Sequence, residues 1–151
     1  MSREYIKTEI TKILEKEEFP KNLALASAWI IANFKGVNIK IFDVSATSSL
    51  CDYNIIATAE NTTQAKAMVD EIQRQLKAVA KMNSLEGVSD GEWILLDMLD
   101  IIVHIFQDTT RDVFALEELW LNAPQVEIPN EYYYGPGEEL KSSNDPTENY
   151  F

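Results

Sequence analysis

Apolar positions along this chain switch between a helical rhythm and short continuous runs, and each switch marks an element boundary. Over residues 4–18, Ile6, Ile10, Ile13 and Leu14 recur at helical spacing with charges on the other side, which predicts an amphipathic helix. Phe19-Pro20 ends it, because proline disfavours helical geometry at the residue before it. A second helix is expected from about Leu23 to Lys35, with Asn22 as candidate N-cap and Gly36 suited to the left-handed position after the helix end. Leu23, Ala26, Ile30 and Phe34 line its buried side. The rhythm then shortens. Ile39–Val44 (IKIFDV) and Tyr53–Thr58 (YNIIAT) read as strands on either side of a small polar loop, Ser45–Ser49.

Asn61 with Gln64 three residues on forms a capping-box pattern. The helix that follows, to about Ala80, places Ala65, Val69, Ile72, Leu76 and Val79 on one face. Lys81–Glu86 is weakly strand-like and Gly87–Gly91 is a turn. Two runs then stand close together, Trp93–Leu96 and Ile101–Phe106, which predicts an antiparallel hairpin. With Met98-Leu99 as a two-residue loop, Asp97 would face Asp100, Leu95 would face Ile102 and Trp93 would face His104. Strand side chains alternate, so Ile94, Leu96, Ile101, Val103 and Ile105 share a uniformly aliphatic side that belongs against a core. Trp93, Leu95, Ile102, His104 and Phe106 share the other. Thr109 or Thr110 can cap a short helix in which Val113, Leu116 and Trp120 lie on one side.

Helices between and after strands must pack on the sheet. The expected fold is therefore α/β, with a single mixed β-sheet of four to five strands and helices packed mainly on one face. The other face, carrying Trp93, His104 and Phe106, would be partly open. Three segments are expected: a helical extension over 1–20, a domain over 21–123, and a tail over 124–151. The tail holds four prolines, the run Tyr132-Tyr133-Tyr134 and six acids against one lysine, a composition that predicts disorder.

Charge narrows the partners. The net charge is −12 and no Lys/Arg cluster is present, which argues against a phosphate-backbone binder and favours a basic protein partner. One cysteine excludes an internal disulfide, and with one histidine it leaves little for a zinc site. The first residues, MSREYIKTEI, do not form a secretion signal and no apolar run suits a membrane span, so a cytoplasmic protein is expected. No glycine-rich phosphate loop or Cys-x-x-Cys occurs, and no cofactor or metal is implied. Asp97 and Asp100 could be read as a metal or acid–base pair; at a hairpin turn they instead accept backbone N–H groups. His104 in an apolar strand is either a satisfied packing residue or a surface contact.

Four stretches taken together match one family: Ile41–Val44 followed by Ser48–Tyr53; Ile56-Ala57-Thr58; Gly91-Glu92-Trp93 with Leu96-Asp97 and Asp100; and Val103–Phe106 through Arg111 to Leu116-Glu117 and Leu119-Trp120. This pattern, over about residues 22–123, resembles the ribosomal silencing factor family, also called the Iojap or RsfS family. The resemblance implies a fold related to nucleotidyltransferases but without their active site, so not an enzyme. It implies a protein that binds ribosomal protein fourteen of the large subunit and sterically blocks joining of the small subunit, repressing translation in starvation or stationary phase. Members often crystallise as dimers, which leaves a homodimer open. Residues matching family positions on the proposed open face are Trp93, His104 and Phe106, with Asp97 and Asp100 at the rim, and these are the expected partner-binding residues. An assembly factor guarding the large subunit with the same surface is the nearest alternative, and a nucleotidyltransferase the more distant one. The chain departs from the family at Leu99 and Ala59, where glycine is usual, and in Ser45-Ala46-Thr47.

Overall fold

The computed structural model describes residues 1–134. It is a five-stranded mixed sheet backed by three long helices (Fold elements: α1 Arg3–Lys16, α2 Lys21–Asn33, β1 Val37–Asp43, β2 Tyr53–Ala59, α3 Thr62–Leu76, β3 Ser84–Glu86, β4 Trp93–Asp97, β5 Ile101–Gln107 and α4 Asp108–Phe114). Two 3₁₀ turns follow, over Leu116–Trp120 and Asn130–Tyr133. The strands lie in the order β1-β2-β5-β4-β3. β2 and β5 run parallel at the centre, and the other neighbours are antiparallel. The expected α/β architecture with one mixed sheet is what the chain adopts.

Local chemistry accounts for the helix ends. Ser2 caps α1 by accepting the Tyr5 N–H at 3.1 Å. Ile6, Ile10 and Ile13 are buried, and Tyr5 packs on Trp29 of α2 with ring centroids 6.0 Å apart. The first helix is thus docked on the domain. α2 has no side-chain cap; the Asn22 amide instead donates to the Leu14 carbonyl at 3.2 Å and ties the two helices together. Its far end is closed by Lys35, at φ 69, and not by Gly36. The Gly36 N–H reaches the Ile31 carbonyl at 2.8 Å and the Lys35 N–H reaches Ala32 at 3.1 Å, the paired closure of a Schellman motif. Glycine is required at 36 for space, since a Cβ there would stand 2.3 Å from the Ile31 side chain. In α3, Asn61 accepts the Gln64 N–H at 2.8 Å, while the Gln64 side chain reaches back one residue further than a capping box, to the Glu60 N–H at 2.6 Å.

The hairpin register differs from expectation by two residues. Asp97 pairs with Ile102, Leu95 with His104 and Trp93 with Phe106. The tip is Leu99-Asp100, with Leu99 at φ 69, because Met98 is buried and its N–H bonds the Ile101 carbonyl at 2.9 Å. A shift of two keeps every side chain on its face. Ile94, Leu96, Ile101, Val103 and Ile105 are accordingly all fully buried against α1–α3, with Ile39, Ile41 and Ile55 beside them. Each such side chain contributes roughly 1.5–3 kcal/mol by leaving water.

The sheet's second face is not open. After β5 the chain turns back through α4, which starts at Asp108 behind Gln107 without a side-chain cap from Thr109 or Thr110. Ala115 then takes a left-handed φ of 45, so the expected single helix is broken in two. Leu116, Trp120 and Ala123 come down on Phe42, Val44, Cys51, Ile56 and Phe106. A face carrying that many rings and aliphatic groups gains more from this cover than from exposure. Nor are the first residues of the tail without structure. Residues 124–126 run along β1, with Gln125 bridged to Phe42, and the chain goes on to bury Tyr132 against α2. Residues 135–151, the rest of the expected disordered segment, lie outside the described residues.

Candidate functional site

The covered face is organised by His104. Its neighbours in register are Leu95 on β4 and Ile56 on β2. The Trp93 indole N–H donates to His104 Nδ1 at 3.2 Å, which places the ring proton on Nε2, and Nε2 lies 3.1 Å from Asn54 Oδ1. The Asn54 amide donates in turn to Cys51 Sγ at 3.5 Å. Both ring nitrogens are used, so this is a neutral, structurally engaged histidine. Burial lowers its pKa from 6.5 to about 4. Burial also raises the Cys51 thiol to about 11, with the charges of Asp52 and Asp97 adding to it, which leaves the sulfur unreactive as a nucleophile.

Around this centre stand aromatic rings. Trp93 stacks on Phe106 with centroids 4.8 Å apart and meets Phe114 of α4 at 4.9 Å. Trp120 sits 5.9 Å from His104 and 5.3 Å from Phe42. His104 and Phe106 are 5% and 0% exposed, so two of the five expected partner-binding residues lie under the cover. Trp93 is half-buried and keeps an outer edge. Asp97 and Asp100, also half-buried, sit at the hairpin tip. The Asp97 carboxylate accepts the Leu99 N–H at 2.8 Å and the Asn83 amide at 3.3 Å, the turn role and not a catalytic pair. Among the described residues, no group of three or more His, Cys, Asp or Glu could hold a metal ion, and no helix is long and apolar enough to cross a membrane.

The cover is fastened by a charge cluster that no sequence pattern signals. Arg111 is buried; its Nη1 donates to the Asn38 carbonyl at 2.7 Å and the Thr58 hydroxyl at 2.9 Å, while Nε donates to Glu117 at 2.9 Å. Lys40 reaches the other Glu117 oxygen at 3.1 Å. The hydrogen bond from Arg111 is the largest influence holding the Glu117 carboxyl below its ordinary pKa, against partial desolvation. One guanidinium therefore links β1, β2, α4 and the 3₁₀ turn. Among the side chains the cover turns outward, beside the acidic Asp112 and Glu118, are four large apolar ones: Val113 is 73% exposed, Phe114 56%, Leu119 73% and Leu121 77%. The expected side of Val113, Leu116 and Trp120 does not hold together: left-handed Ala115 turns the chain, so Leu116 and Trp120 pack down while Val113 faces out, and Phe114 lay off that expected side altogether. An aromatic at a wet position of a short helix was the available signal.

By fold and site, then, the chain is a small α/β domain whose most distinctive buried side chains serve to place an apolar surface segment. A family model described as "Ribosomal silencing factor during starvation" matches residues 16–149, and the chain belongs to that family. Similar proteins include the ribosomal silencing factor RsfS of Chromobacterium violaceum, 35% identical over 60% of this chain and 75% of that protein. That of Haemophilus influenzae is 37% identical over 57% of this chain and 85% of that protein. A crystal structure of a Chromobacterium violaceum protein superposes with a TM-score of 0.64 at 32% identity, covering 66% of this chain and 84% of that one.

Proposed function

We propose that this protein is a ribosomal silencing factor that binds the large ribosomal subunit through ribosomal protein fourteen and sterically blocks association with the small subunit. Translation is thereby repressed in starvation or stationary phase. Family membership supports the reading, and the observation that carries it here is the outward row of Val113, Phe114, Leu119 and Leu121 on a segment fixed from beneath. Exposed apolar side chains gathered on one segment mark an interaction surface, and a net charge of −12 favours approach to a basic ribosomal partner. Trp93 and Phe114, in ring contact and both reachable, take the role of direct contact. His104 and Phe106 position them from below, and Asp97 and Asp100 sit at the hairpin rim.

Sedimentation of the purified chain with large subunits tests this. Stoichiometric binding and loss of subunit joining are expected, with Phe114→Ala weakening binding at least about tenfold, the size of a moderate hot spot. Absence of co-sedimentation at moderate salt would overturn the reading, as would binding that leaves joining intact.

A further inference from the structure

Sheet edges carry unpaired backbone groups that invite other strands, and folded chains suppress this in recognisable ways. Here β3 does so by running only three residues. The opposite edge, β1, is seven residues of strand-favouring sequence, VNIKIFD. Its first half is spoiled as a template by a register break between Val37 and Lys40, with Asn38 at φ 51 and its carbonyl taken by Arg111. Its second half is regular, and Ile41 and Asp43 turn their backbone groups outward, among them the Ile41 carbonyl and the Asp43 N–H.

Those two groups are occupied by residues 124–126. The Asp43 N–H donates to the Pro124 carbonyl at 2.8 Å and the Val126 N–H donates to the Ile41 carbonyl at 2.8 Å. The segment offers no good edge of its own, since Pro124 and Pro129 bracket it and lack N–H donors. It is held in place some residues later, where Tyr132 is buried against α2 and its carbonyl accepts the Asn33 amide at 3.0 Å. Two strand bonds and one anchored ring are a fastening, not a sixth strand.

We propose that residues 124–134 are an edge clasp that keeps β1 from pairing with β1 of a second copy of this chain. The regular half of β1 is compatible with itself. A two-fold antiparallel pairing centred on Ile41 sets Ile41 against Ile41, Lys40 against Phe42 and Ile39 against Asp43, with no like charges opposed. The clasp occupies the same Ile41 and Asp43 groups that this pairing would use.

The test compares three chains: the intact protein, one ending at Ala123, and full-length Tyr132→Ala. Each is measured by light scattering over a concentration series and by amide exchange at Asp43. The intact chain is expected to keep the Asp43 amide protected at every concentration. The shortened chain should exchange there at least tenfold faster when dilute, then regain protection as its mass doubles relative to the intact chain. Tyr132→Ala should do the same at higher concentration. If neither variant gains mass over the intact chain, or if mass doubles while the Asp43 amide still exchanges freely, the clasp is overturned. Should the shortened chain fail to fold, Tyr132→Ala decides on the same two readings.

Discussion

The two faces of the sheet share the same strands but not the same chemistry. Toward α1–α3 the alternate residues of β4 and β5 are Ile94, Leu96, Ile101, Val103 and Ile105, all fully buried and all aliphatic. Toward α4 the intervening residues include Trp93, His104 and Phe106, linked to Asn54 and Trp120 by hydrogen bonds and ring contacts. Aliphatic packing is non-directional and rewards volume. A ring network with both imidazole nitrogens engaged fixes orientation as well. The helix face therefore stores stability, while the other face spends part of its burial on placing the outward side chains of the cover.

Breaking the helix face should cost most. Ile105→Ala is expected to lose about 2–5 kcal/mol, the range for emptying a packed aliphatic site, read from urea denaturation. If the loss fell below that of a surface change, the helix face would not be the stability store. The second face should instead respond to acid. His104 has a folded pKa near 4 against 6.5 unfolded, so the unfolded chain takes the proton first. Its contribution is complete above pH 6.5 and is lost as pH falls toward 4, by roughly 3 kcal/mol at most. His104→Gln, which can still accept from Trp93 and donate to Asn54, should flatten this part of the stability–pH curve relative to the parent.

Arg111→Met tests the fastening of the cover. Leaving Thr58, the Asn38 carbonyl and Glu117 short of a donor should cost about 2–3 kcal/mol, with amide exchange accelerating in residues 108–120 ahead of the helix face. Uniform acceleration would mean that cover and core are one cooperative unit. Asp97→Ala should lose about 1 kcal/mol through the freed Leu99 N–H. Phe114→Ala, at an exposed site, should change stability by less than about 1 kcal/mol, and a large thermal shift would move Phe114 from surface to core.

The face assignments were legible because alternation survives a register error of two, and the buried Met98 is what lengthened the hairpin beyond Met98-Leu99. That the second face is covered was half-visible: Leu116 and Trp120 announced an apolar side needing a surface to lie on, while Val113, expected beside them, faces solvent. Ala115 hid the geometry, since nothing in an alanine signals a left-handed residue. Arg111 gave no such signal, because a lone arginine says nothing about burial until its carbonyl, hydroxyl and carboxylate partners converge. The strap over 124–134 was unreadable as structure. Its prolines and acids suggest disorder, and its order depends on one tyrosine meeting α2 about a hundred residues away.

His104 also makes the cover optically visible. Its ring lies about 6 Å from both Trp93 and Trp120, leaving only Trp29, on the helix face with Tyr5, out of its reach. A protonated imidazole quenches neighbouring indole emission and a neutral one does so far less. Two of the three tryptophans thus report on the packing around one histidine, so their emission follows the cover while Trp29 follows the helix face.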